Sequence, residues 1–371
     1  MINIVISATN LVEGGPLSIL DDLLSSLNDY IGKNPTYKVI AIVHDKKICF
    51  YPNIQYIEIK WAKSNWLFRL YSEYVYLYKL SKSLNAHLWL SLHDTSPNVK
   101  ADIRAVYCHN PTPFYKPAIR DLKFNYKEYL FSLFYKYLYR INIHKNDFVI
   151  VQQSWIRDEF CKMFHLNSDK VIVAYPKSEA LQNNYVHKQD SIDSTCVFFY
   201  PAYPRTFKNI EVICEACKSL NEQGYQNYKV ILTVDGTENA YAKYIYKKYN
   251  NITEIDFHGI VSHQEVFKLY ASTNCLLFPS KLETWGLPIS EFSSYNKPML
   301  VADLPYAHET ASGASCVSFF SINDSVLLSE RMKEVIAHSY SNFGRVPDCH
   351  VKKPYTNSWI ELVNQLLGVS N

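Results

Sequence analysis

The fold is decided by one stretch of the sequence, Leu276-Leu-Phe-Pro-Ser-Lys-Leu-Glu-Thr-Trp-Gly-Leu-Pro-Ile-Ser-Glu-Phe292. An apolar strand is predicted at its start, followed by a short loop that carries Glu283 and Gly286. Pro288 favours a helix that begins beside it, because the first helical position needs no backbone N–H. Strand, loop and helix in this order are typical of an α/β sheet, and they bring Glu283 and Glu291 to one pocket mouth.

This loop has the chemistry of a phosphate and sugar site. Gly286 lets the backbone approach a ligand closely, and the N–H groups at the helix start can bind phosphate oxygens. Glu291, just inside the helix, can accept hydrogen bonds from a pair of ribose hydroxyls. The structural alternative is that both glutamates only favour the positive end of the helix dipole.

Hydrophobic periodicity on either side of this stretch predicts further strands with helices between them. In the second half of the chain, strands are predicted at residues 196–200, 229–234, 255–258, 275–279 and 299–302. In the first half, they are predicted at 3–7, 38–43, 54–59, 87–92, 104–108 and 148–152. Residues 176–194 are polar and lack periodicity, which is typical of a linker.

The predicted fold class is therefore α/β, with two Rossmann-like α/β/α domains that face a central cleft where ligands bind. The first domain covers residues 1–175, the linker 176–194 and the second domain 195–350. A last helix within 351–371 can belong to the second domain or cross back to the first.

Composition limits the classes of function. A net charge of +3 is too small for a typical nucleic-acid-binding surface, and no run approaches the about 18 apolar residues of a membrane span. The N-terminus has neither the basic region nor the cleavage site of a signal peptide, which predicts a cytoplasmic protein. The nine cysteines are scattered, so neither a disulfide framework nor a zinc site is expected.

The spacing Glu-x7-Glu within Phe-Pro-Ser-x-x-Glu-x-Trp-Gly-Leu-Pro-x-x-Glu resembles the signature of the family 4 glycosyltransferases, which are retaining enzymes of GT-B fold. The resemblance implies that Glu283 contacts the donor sugar as a catalytic residue and that Glu291 binds the donor ribose. It also implies that the backbone of Trp285, Gly286 and Leu287 serves the sugar and the diphosphate. The family often has Gly-Phe-Gly where this chain has Thr-Trp-Gly, so we expect an altered sugar pocket.

Tyr200-Pro-Ala-Tyr-Pro-Arg-Thr-Phe-Lys-Asn209 resembles the family's loop after the first strand of the C-terminal domain. The resemblance implies that Arg205 and Lys208 hold the diphosphate. Two cations there stabilise the charge that develops as the glycosidic bond breaks. The family usually keeps more residues between this Arg and Lys, and the alternative for both is a solvated basic turn.

Two segments of the N-terminal half fit the same resemblance. Gly14 and Gly15, between the first strand and its helix, resemble the family's glycine loop, although any turn uses glycine. Val106-Tyr-Cys-His-Asn-Pro-Thr-Pro-Phe114 resembles the segment whose histidine contacts the transferred sugar, which implies a catalytic role for His109. The alternative is a histidine with a structural role.

The chain contains neither an Asp-x-Asp motif nor a His-x-x-x-His pair. We therefore expect no metal and no cofactor, with a nucleotide-diphosphate sugar as co-substrate. Positive side chains and a helix terminus would then take the place of a metal ion beside the diphosphate.

Aromatic residues interleaved with Lys and Arg at 61–84 and 114–143 are typical of helices at an anionic membrane surface. The alternative is ordinary helices whose aromatic faces point to the core. On the first interpretation, the protein contacts the inner membrane leaflet and its acceptor is a lipid-linked glycan.

The resemblance to the family 4 glycosyltransferases implies a retaining glycosyltransferase, and a hexosyltransferase in particular, which we expect to be metal-independent. Its partners are a nucleotide-sugar donor and a glycan or polyprenyl-linked acceptor, and its setting is bacterial surface polysaccharide synthesis, such as O-antigen or capsule. Two alternatives stay open: a GT-B sugar-nucleotide epimerase or phosphorylase, and a non-catalytic membrane-peripheral binding module. A dinucleotide-dependent dehydrogenase is disfavoured, because no Gly-x-Gly-x-x-Gly follows a predicted strand.

Overall fold

The computed structural model describes residues 1–176 and 195–369, which form two compact units. The first unit contains residues 1–113, 133–176 and 351–369, and the second contains residues 114–132 and 195–350. The linker predicted at 176–194 lies, apart from residue 176, outside the described residues. The domain predicted over 1–175 differs from the first unit in the segment 114–132, which packs with the second unit.

Eight parallel strands form the sheet of the first unit: β1 Ile2–Ala8, β2 Tyr37–Val43, β3 Gln55–Glu58, β4 Ala86–Ser91, β5 Ala101–Cys108, β6 Phe148–Val151, β7 Val171–Ala174 and β14 Tyr355–Thr356. Its helices are α1 Gly14–Lys33, α2 Trp66–Tyr71, α3 Leu77–Leu84, α5 Ser154–Phe164 and α12 Trp359–Leu367, and α4 Tyr126–Arg140 starts in the segment that packs with the second unit. The strand order is β3-β2-β1-β4-β5-β6-β7-β14. The connections therefore leave β1 and β4 in opposite directions, which creates a switch point between them.

The core of the first unit follows from its sequence pattern. The inner part of β1 is buried on both faces, as expected for a parallel strand covered by helices. Helix α1 adds four leucines at helical spacing, namely Leu20, Leu23, Leu24 and Leu27. Each fully buried leucine contributes roughly 1.5–3 kcal/mol through its removal from water. Leu362 of α12 joins the same cluster, and the hydroxyl of Tyr30 donates to Asn364 Oδ1 at 3.3 Å.

The chain returns to the first unit near its C-terminal end. There β14 pairs in parallel with β7 at the edge of the sheet, with Tyr355 opposite Val173. Arg157 on α5 donates from Nη1 to the carbonyl of Lys352 at 2.8 Å and to that of Pro354 at 3.3 Å. This C-terminal segment therefore completes both the sheet edge and the packing of α1.

Six parallel strands form the sheet of the second unit: β8 Cys196–Tyr200, β9 Tyr228–Leu232, β10 Ile255–Phe257, β11 Cys275–Phe278, β12 Met299–Ala302 and β13 Val317–Phe320. Its helices are α6 Ile210–Glu222, α7 Ala240–Tyr249, α8 His263–Ser272, α9 Leu287–Ser293, α10 Pro305–Thr310 and α11 Ser325–Ile336. The order is β10-β9-β8-β11-β12-β13, with the switch point between β8 and β11. The predicted class, two Rossmann-like domains with parallel sheets, is confirmed.

Candidate functional site

The switch point of the second sheet gathers the predicted donor residues. Strands β8 and β11 lie side by side, and their connections leave in opposite directions. Ligands of open α/β sheets bind at such a point, beyond the carboxyl ends of the strands. The loop after β8 carries Arg205 and Lys208, and the loop after β11 carries Glu283 and Gly286.

Lys208 and Glu283 form an ion pair across these two loops, from Nζ to Oε1. Both side chains are largely buried, at 18% and 15% exposure, so solvent screens the pair less than on an open surface. Tyr200 fixes the surrounding backbone, because its hydroxyl donates to the carbonyl of Lys208 at 2.9 Å and lies 3.0 Å from Ser280 Oγ. The side chains assigned from the sequence to the diphosphate and to the sugar therefore touch each other.

Asn209 joins the same two loops, although the sequence alone does not single it out. Its backbone is left-handed, with a φ of 58°, a conformation that asparagine tolerates better than most residues. Its Nδ2 donates to the carbonyl of Pro279 at 3.2 Å and to that of Ile322 at 2.8 Å. The one feature of the sequence that could have indicated this role is the position of Asn209 between Lys208 and the predicted start of a helix.

Glu291 on α9 is buried and is held by residues of α8. The hydroxyl of Tyr270 donates to Oε2 at 2.9 Å, and His263 Nε2 lies 3.8 Å from Oε1. Burial, and then the charge of Glu291, raises the pKa of Tyr270 well above its usual value, so this hydroxyl remains a donor. Neither partner is evident from the sequence, since a tyrosine on an amphipathic helix is typical of a core position.

The loop before α9 depends on Gly286. Its φ of +89° lies in the left-handed region, where side chains other than that of glycine are disfavoured. A Cβ at this position would also lie 3.4 Å from both Ile289 Cδ1 and Phe278 Cε1. The close backbone approach expected here is therefore possible only with glycine, and Leu287 follows it as the first residue of α9.

Trp285 points into the second unit. The residue is 8% exposed, its indole Nε1 donates to Ser290 Oγ at 3.1 Å, and its carbonyl accepts a hydrogen bond from the Thr310 hydroxyl. Its ring therefore supports the loop from inside. A contact between this residue and a donor would have to come from its backbone.

Arg205 differs from Lys208 in its surroundings. Its side chain is 52% exposed, and Nη1 lies 3.7 Å from Oε1 of Glu128. Glu128 belongs to the segment 114–132, in which Arg120 Nη2 also lies 3.3 Å from Oε1 of Glu211. Arg205 thus has a carboxylate partner of its own, in a solvent-screened position.

In the first unit, His109 follows β5 and is held by Asp94, which follows β4. Oδ1 of Asp94 accepts hydrogen bonds from the backbone N–H of His109 at 2.7 Å and of Asn110 at 3.0 Å. The Tyr139 hydroxyl donates to the same oxygen at 3.0 Å, and His109 Nδ1 lies 3.5 Å from it. Asp94 therefore fixes the loop that carries the predicted catalytic histidine.

Gly14 and Gly15 are the first two residues of α1. Gly14 has a φ of +64°, which favours glycine, whereas a Cβ placed on Gly15 would have nothing within 4 Å. The predicted glycine loop is therefore left-handed at one position and uncrowded at the other, which leaves room for a ligand beside this backbone.

The part of the chain that holds the predicted donor residues is similar to a known family. Residues 186–343 match the family model described as glycosyl transferases group 1. This part of the chain is therefore similar to a glycosyltransferase group 1 domain. The matched residues include Lys208, Glu283 and Glu291, and the predicted enzyme class is confirmed at the level of this domain.

Individual proteins show the same similarity. The chain is 22% identical over 249 residues to the O-antigen chain mannosyltransferase RfbU of Salmonella typhimurium, in a match that covers 66% of this chain and 64% of that protein. It therefore spans slightly less than two thirds of this relative. The lipopolysaccharide outer core galactosyltransferase WaaB, in its apo form, matches with a TM-score of 0.63 at 12% identity, over 100% of this chain and 94% of that one. Anabaena HepE in complex with UDP-glucose matches with a TM-score of 0.57 at 12% identity, over 92% of each chain. Such likeness establishes the fold, which is the predicted GT-B type.

Proposed function

We propose that this protein is a retaining, metal-independent glycosyltransferase. It moves a sugar from a nucleotide-diphosphate sugar to a glycan or polyprenyl-linked glycan of a bacterial surface polysaccharide. The ion pair between Lys208 and Glu283, at the switch point of a glycosyltransferase group 1 domain, carries the proposal. The acceptor class is supported by the relatives, since RfbU is named for the O-antigen chain and WaaB for the lipopolysaccharide outer core.

In the free protein, the carboxylate of Glu283 neutralises Lys208. An incoming diphosphate competes for the ammonium, because its negative charge exceeds that of one carboxylate. Glu283 is then released toward the donor sugar, where it stabilises positive charge in the oxocarbenium-like state. Lys208, with Arg205 as a second cation, stabilises the negative charge that builds on the departing diphosphate. The cations do this work in the place of a metal ion.

Glu291 takes the nucleotide end of the donor by accepting hydrogen bonds from the ribose hydroxyls. The Tyr270 hydroxyl holds the carboxylate in one orientation before the donor arrives. Retention follows in this proposal because neither Glu283 nor Glu291 attacks the anomeric carbon. The acceptor hydroxyl, which binds on the side of His109, attacks the anomeric carbon from the face that the diphosphate leaves, and its proton passes to the departing diphosphate oxygen.

We further propose contact with the inner face of the membrane. Trp66, Leu67, Phe68 and Tyr71 on α2 are 47–78% exposed, as are Leu133, Phe134 and Tyr137 on α4 at 41–58%. Cations interleave with these rings: Lys136 Nζ lies 5.2 Å from the ring of Tyr137. Exposed apolar groups beside lysines are typical of surfaces that bind anionic headgroups. Within residues 1–176 and 195–369, no helix is both long and apolar enough to cross a membrane.

Membrane contact is tested by flotation with vesicles of phosphatidylglycerol or of phosphatidylcholine alone. We expect binding to the anionic vesicles, and a clear loss of it in the double variant Leu67→Ser and Phe68→Ser. The control is Val326→Ser, which changes an apolar residue of the second unit that is 62% exposed. Equal flotation of all three proteins would contradict this part of the proposal.

Transfer is tested by incubating the protein with UDP-, GDP- and ADP-sugars, a bacterial lipid extract as acceptor and EDTA. We expect release of nucleoside diphosphate from one donor, and a product whose anomeric configuration by NMR matches that of the donor. Lys208→Ala should abolish release, while Lys218→Ala, at an exposed lysine of α6, should leave it unchanged. Sugar phosphate formed from free phosphate would indicate a phosphorylase, an isomerised sugar nucleotide an epimerase, and vesicle binding without turnover a binding module.

A further inference from the structure

The segment 114–132 is encoded in the first half of the chain but packs with the second unit. Arg120 Nη2 lies 3.3 Å from Oε1 of Glu211, in the first turn of α6. The ring centre of Phe124 lies 5.4 Å from that of Tyr241 on α7. An ion pair and an aromatic pair therefore fix this segment near the loop after β8, because α6 begins where that loop ends.

Tyr115, near the start of this segment, contacts the loop that carries both predicted diphosphate cations. Within that loop, Arg205 Cζ lies 5.8 Å and Lys208 Nζ 5.7 Å from the centre of the Phe207 ring. The ring of Tyr115 packs against the Phe207 ring in a T-shaped arrangement, with 5.7 Å between the two centres. Its hydroxyl lies 3.5 Å from Thr206 Oγ1. Tyr115 therefore restrains the aromatic ring beside which both cations lie.

Tyr115 is held in turn by Asp121, which is 5% exposed. Oδ2 of Asp121 accepts hydrogen bonds from the Tyr115 hydroxyl at 2.8 Å and from the backbone N–H of Ala118 at 2.9 Å. The loop after β11 holds Phe207 as well, because the backbone N–H of Lys281 donates to its carbonyl at 2.7 Å. Phe207 is thus fixed both by a loop of the donor site and by a segment from the first half of the chain.

Glu128, near the end of the same segment, acts on Arg205 by its charge. Its Oε1 lies 3.7 Å from Arg205 Nη1, and the two side chains are 27% and 52% exposed. Asn125 fixes Glu128, because Oδ1 accepts from its backbone N–H at 3.1 Å and Nδ2 donates to its Oε2 at 3.3 Å. A diphosphate that approaches Arg205 meets this carboxylate as a competitor for the guanidinium and as a like charge. The charge of Glu128 thus opposes the binding of a diphosphate, whereas the ring of Tyr115 favours it.

We propose that the segment 114–132 sets the affinity of the second unit for the diphosphate of the donor, with Tyr115 and Glu128 acting in opposite directions. Tyr115 is a positioning residue, which raises the affinity by holding the ring of Phe207 beside the two cations. Glu128 lowers the affinity, because it pairs with Arg205 until the diphosphate displaces it. The proposal rests on the proposed function, which assigns the diphosphate to these cations.

The first test measures the Kd of UDP, GDP and ADP by calorimetry with the full chain, in about 0.1 M and about 1 M NaCl. In the lower salt, Glu128→Gln should lower the Kd of the diphosphate that binds by about threefold, the size expected for one exposed ion pair. The gain should shrink in the higher salt, where screening weakens the pair. A glutamine can keep the hydrogen bonds with Asn125, so the start of α4 is preserved. The control is Glu222→Gln, at an exposed glutamate of α6 that lies 3.9 Å from Lys218, and it should leave the Kd unchanged.

A double variant separates the pairing with Arg205 from other effects of Glu128. In the Arg205→Ala background, Glu128→Gln should lose most of its effect on the Kd, because no guanidinium is left for the carboxylate to occupy. The full gain in that background would overturn the role given to Glu128.

The variants of Tyr115 should act in the other direction. Tyr115→Ala should raise the Kd about tenfold through the loss of one aromatic pair. Tyr115→Phe, which keeps the ring, should stay within about threefold of the wild type. An unchanged Kd in Tyr115→Ala would overturn its positioning role, and should that variant fail to fold, the sign of the Glu128→Gln effect decides the proposal.

The opposite signs exclude a general loss of structure, which would raise the Kd in every variant. A Kd that Glu128→Gln leaves unchanged or raises would reject this inference and leave the proposed function standing. Absence of binding of all three diphosphates to the wild type would reject the proposed function, and this inference with it.

Discussion

The two sheets end in carboxyl edges that treat their polar side chains differently. At the edge of the second sheet, Glu283 neutralises Lys208 and Tyr270 orients Glu291. At the edge of the first sheet, His93 has no partner on either ring nitrogen within the part of the chain that the structure describes. At the second edge, then, charged and polar groups pair with each other, whereas at the first edge the ring nitrogens of His93 have no hydrogen-bond partner among the described residues. If the second sheet binds the donor, as we propose, the charges of its site are already balanced by protein groups before the donor arrives.

The largest effect should come from breaking the balanced pair. Glu283→Gln leaves Lys208 without its carboxylate, and we expect kcat/KM for transfer to fall by roughly a hundredfold or more, as for other preorganised charges in active sites. Because the pair acts as a unit, the double variant Lys208→Ala and Glu283→Gln should lose no more than the worse single variant. Steady-state release of nucleoside diphosphate measures all three. Losses that multiply would show that the two residues act independently.

The unpaired edge should make the stability of the protein depend on acid. The imidazole of His93 faces Glu73, Asp94, Arg69 and His109, and burial lowers its pKa from 6.5 to about 4. The unfolded chain therefore binds a proton that the folded chain does not, so stability falls as the pH falls from about 6.5 to about 4. A shift of this size corresponds to roughly 3 kcal/mol.

Urea unfolding across this pH range measures that dependence. His93→Leu should flatten it, and the exposed control His144→Leu should not. A wild-type slope in His93→Leu would assign the acid sensitivity to other groups.

A smaller effect should come from the hydroxyl that orients Glu291. Tyr270→Phe removes a hydrogen bond to a charged group, worth roughly 1.5 kcal/mol, so we expect the KM for the donor to rise about tenfold with kcat nearly unchanged. The loss should disappear when the variant and the wild type are compared on the 2′,3′-dideoxy form of the same donor. An equal loss on both donors would place the effect in packing of the tyrosine ring rather than in ribose recognition.

The smallest effect should come from Arg205. Its side chain is half exposed and is already near Glu128, and exposed ion pairs are worth up to about 1 kcal/mol. Arg205→Ala should therefore weaken donor binding by less than about fivefold, measured as the Kd of the nucleoside diphosphate by calorimetry. An increase in this Kd as large as that caused by Lys208→Ala would show that the exposed Arg205 contributes as much to donor binding as the buried Lys208.

The loops of the donor site could be predicted from sequence, and their partners could not. Glu283, Gly286 and Pro288 are neighbours in the chain, so the turn and the helix start are encoded within a few residues. Tyr270 lies 21 positions from Glu291 and meets it only because α8 and α9 both pack in the second unit. Asp94 reaches the loop of His109 only because β4 and β5 pair in parallel. Such contacts depend on strand order, which periodicity does not encode.

The predicted strands of both halves occur within a few residues of their predicted limits. Strands β7, β13 and β14 were not predicted. Their length does not explain this, because β10 has three residues and β12 has four, and both were predicted. Short apolar runs are ambiguous between a strand and a buried helical turn. The segment 114–132 carries an aromatic and basic pattern, yet Phe124 packs its ring 5.4 Å from that of Tyr241 in the second unit. Nothing local in that pattern specifies the choice of partner.

The return of the chain to the first unit has a consequence for its synthesis. On the ribosome, β7 gains its edge neighbour β14, and α1 gains α12, only after residues 351–369 have emerged. The second unit, whose strands all lie between residues 196 and 320, can assemble earlier than the unit that begins the chain. Until then, the N-terminal half exposes the unpaired edge of β7 and the uncovered face of α1. A chain released by a ribosome that stalls near residue 350 would keep both exposed, so we expect it to aggregate with other copies through this edge.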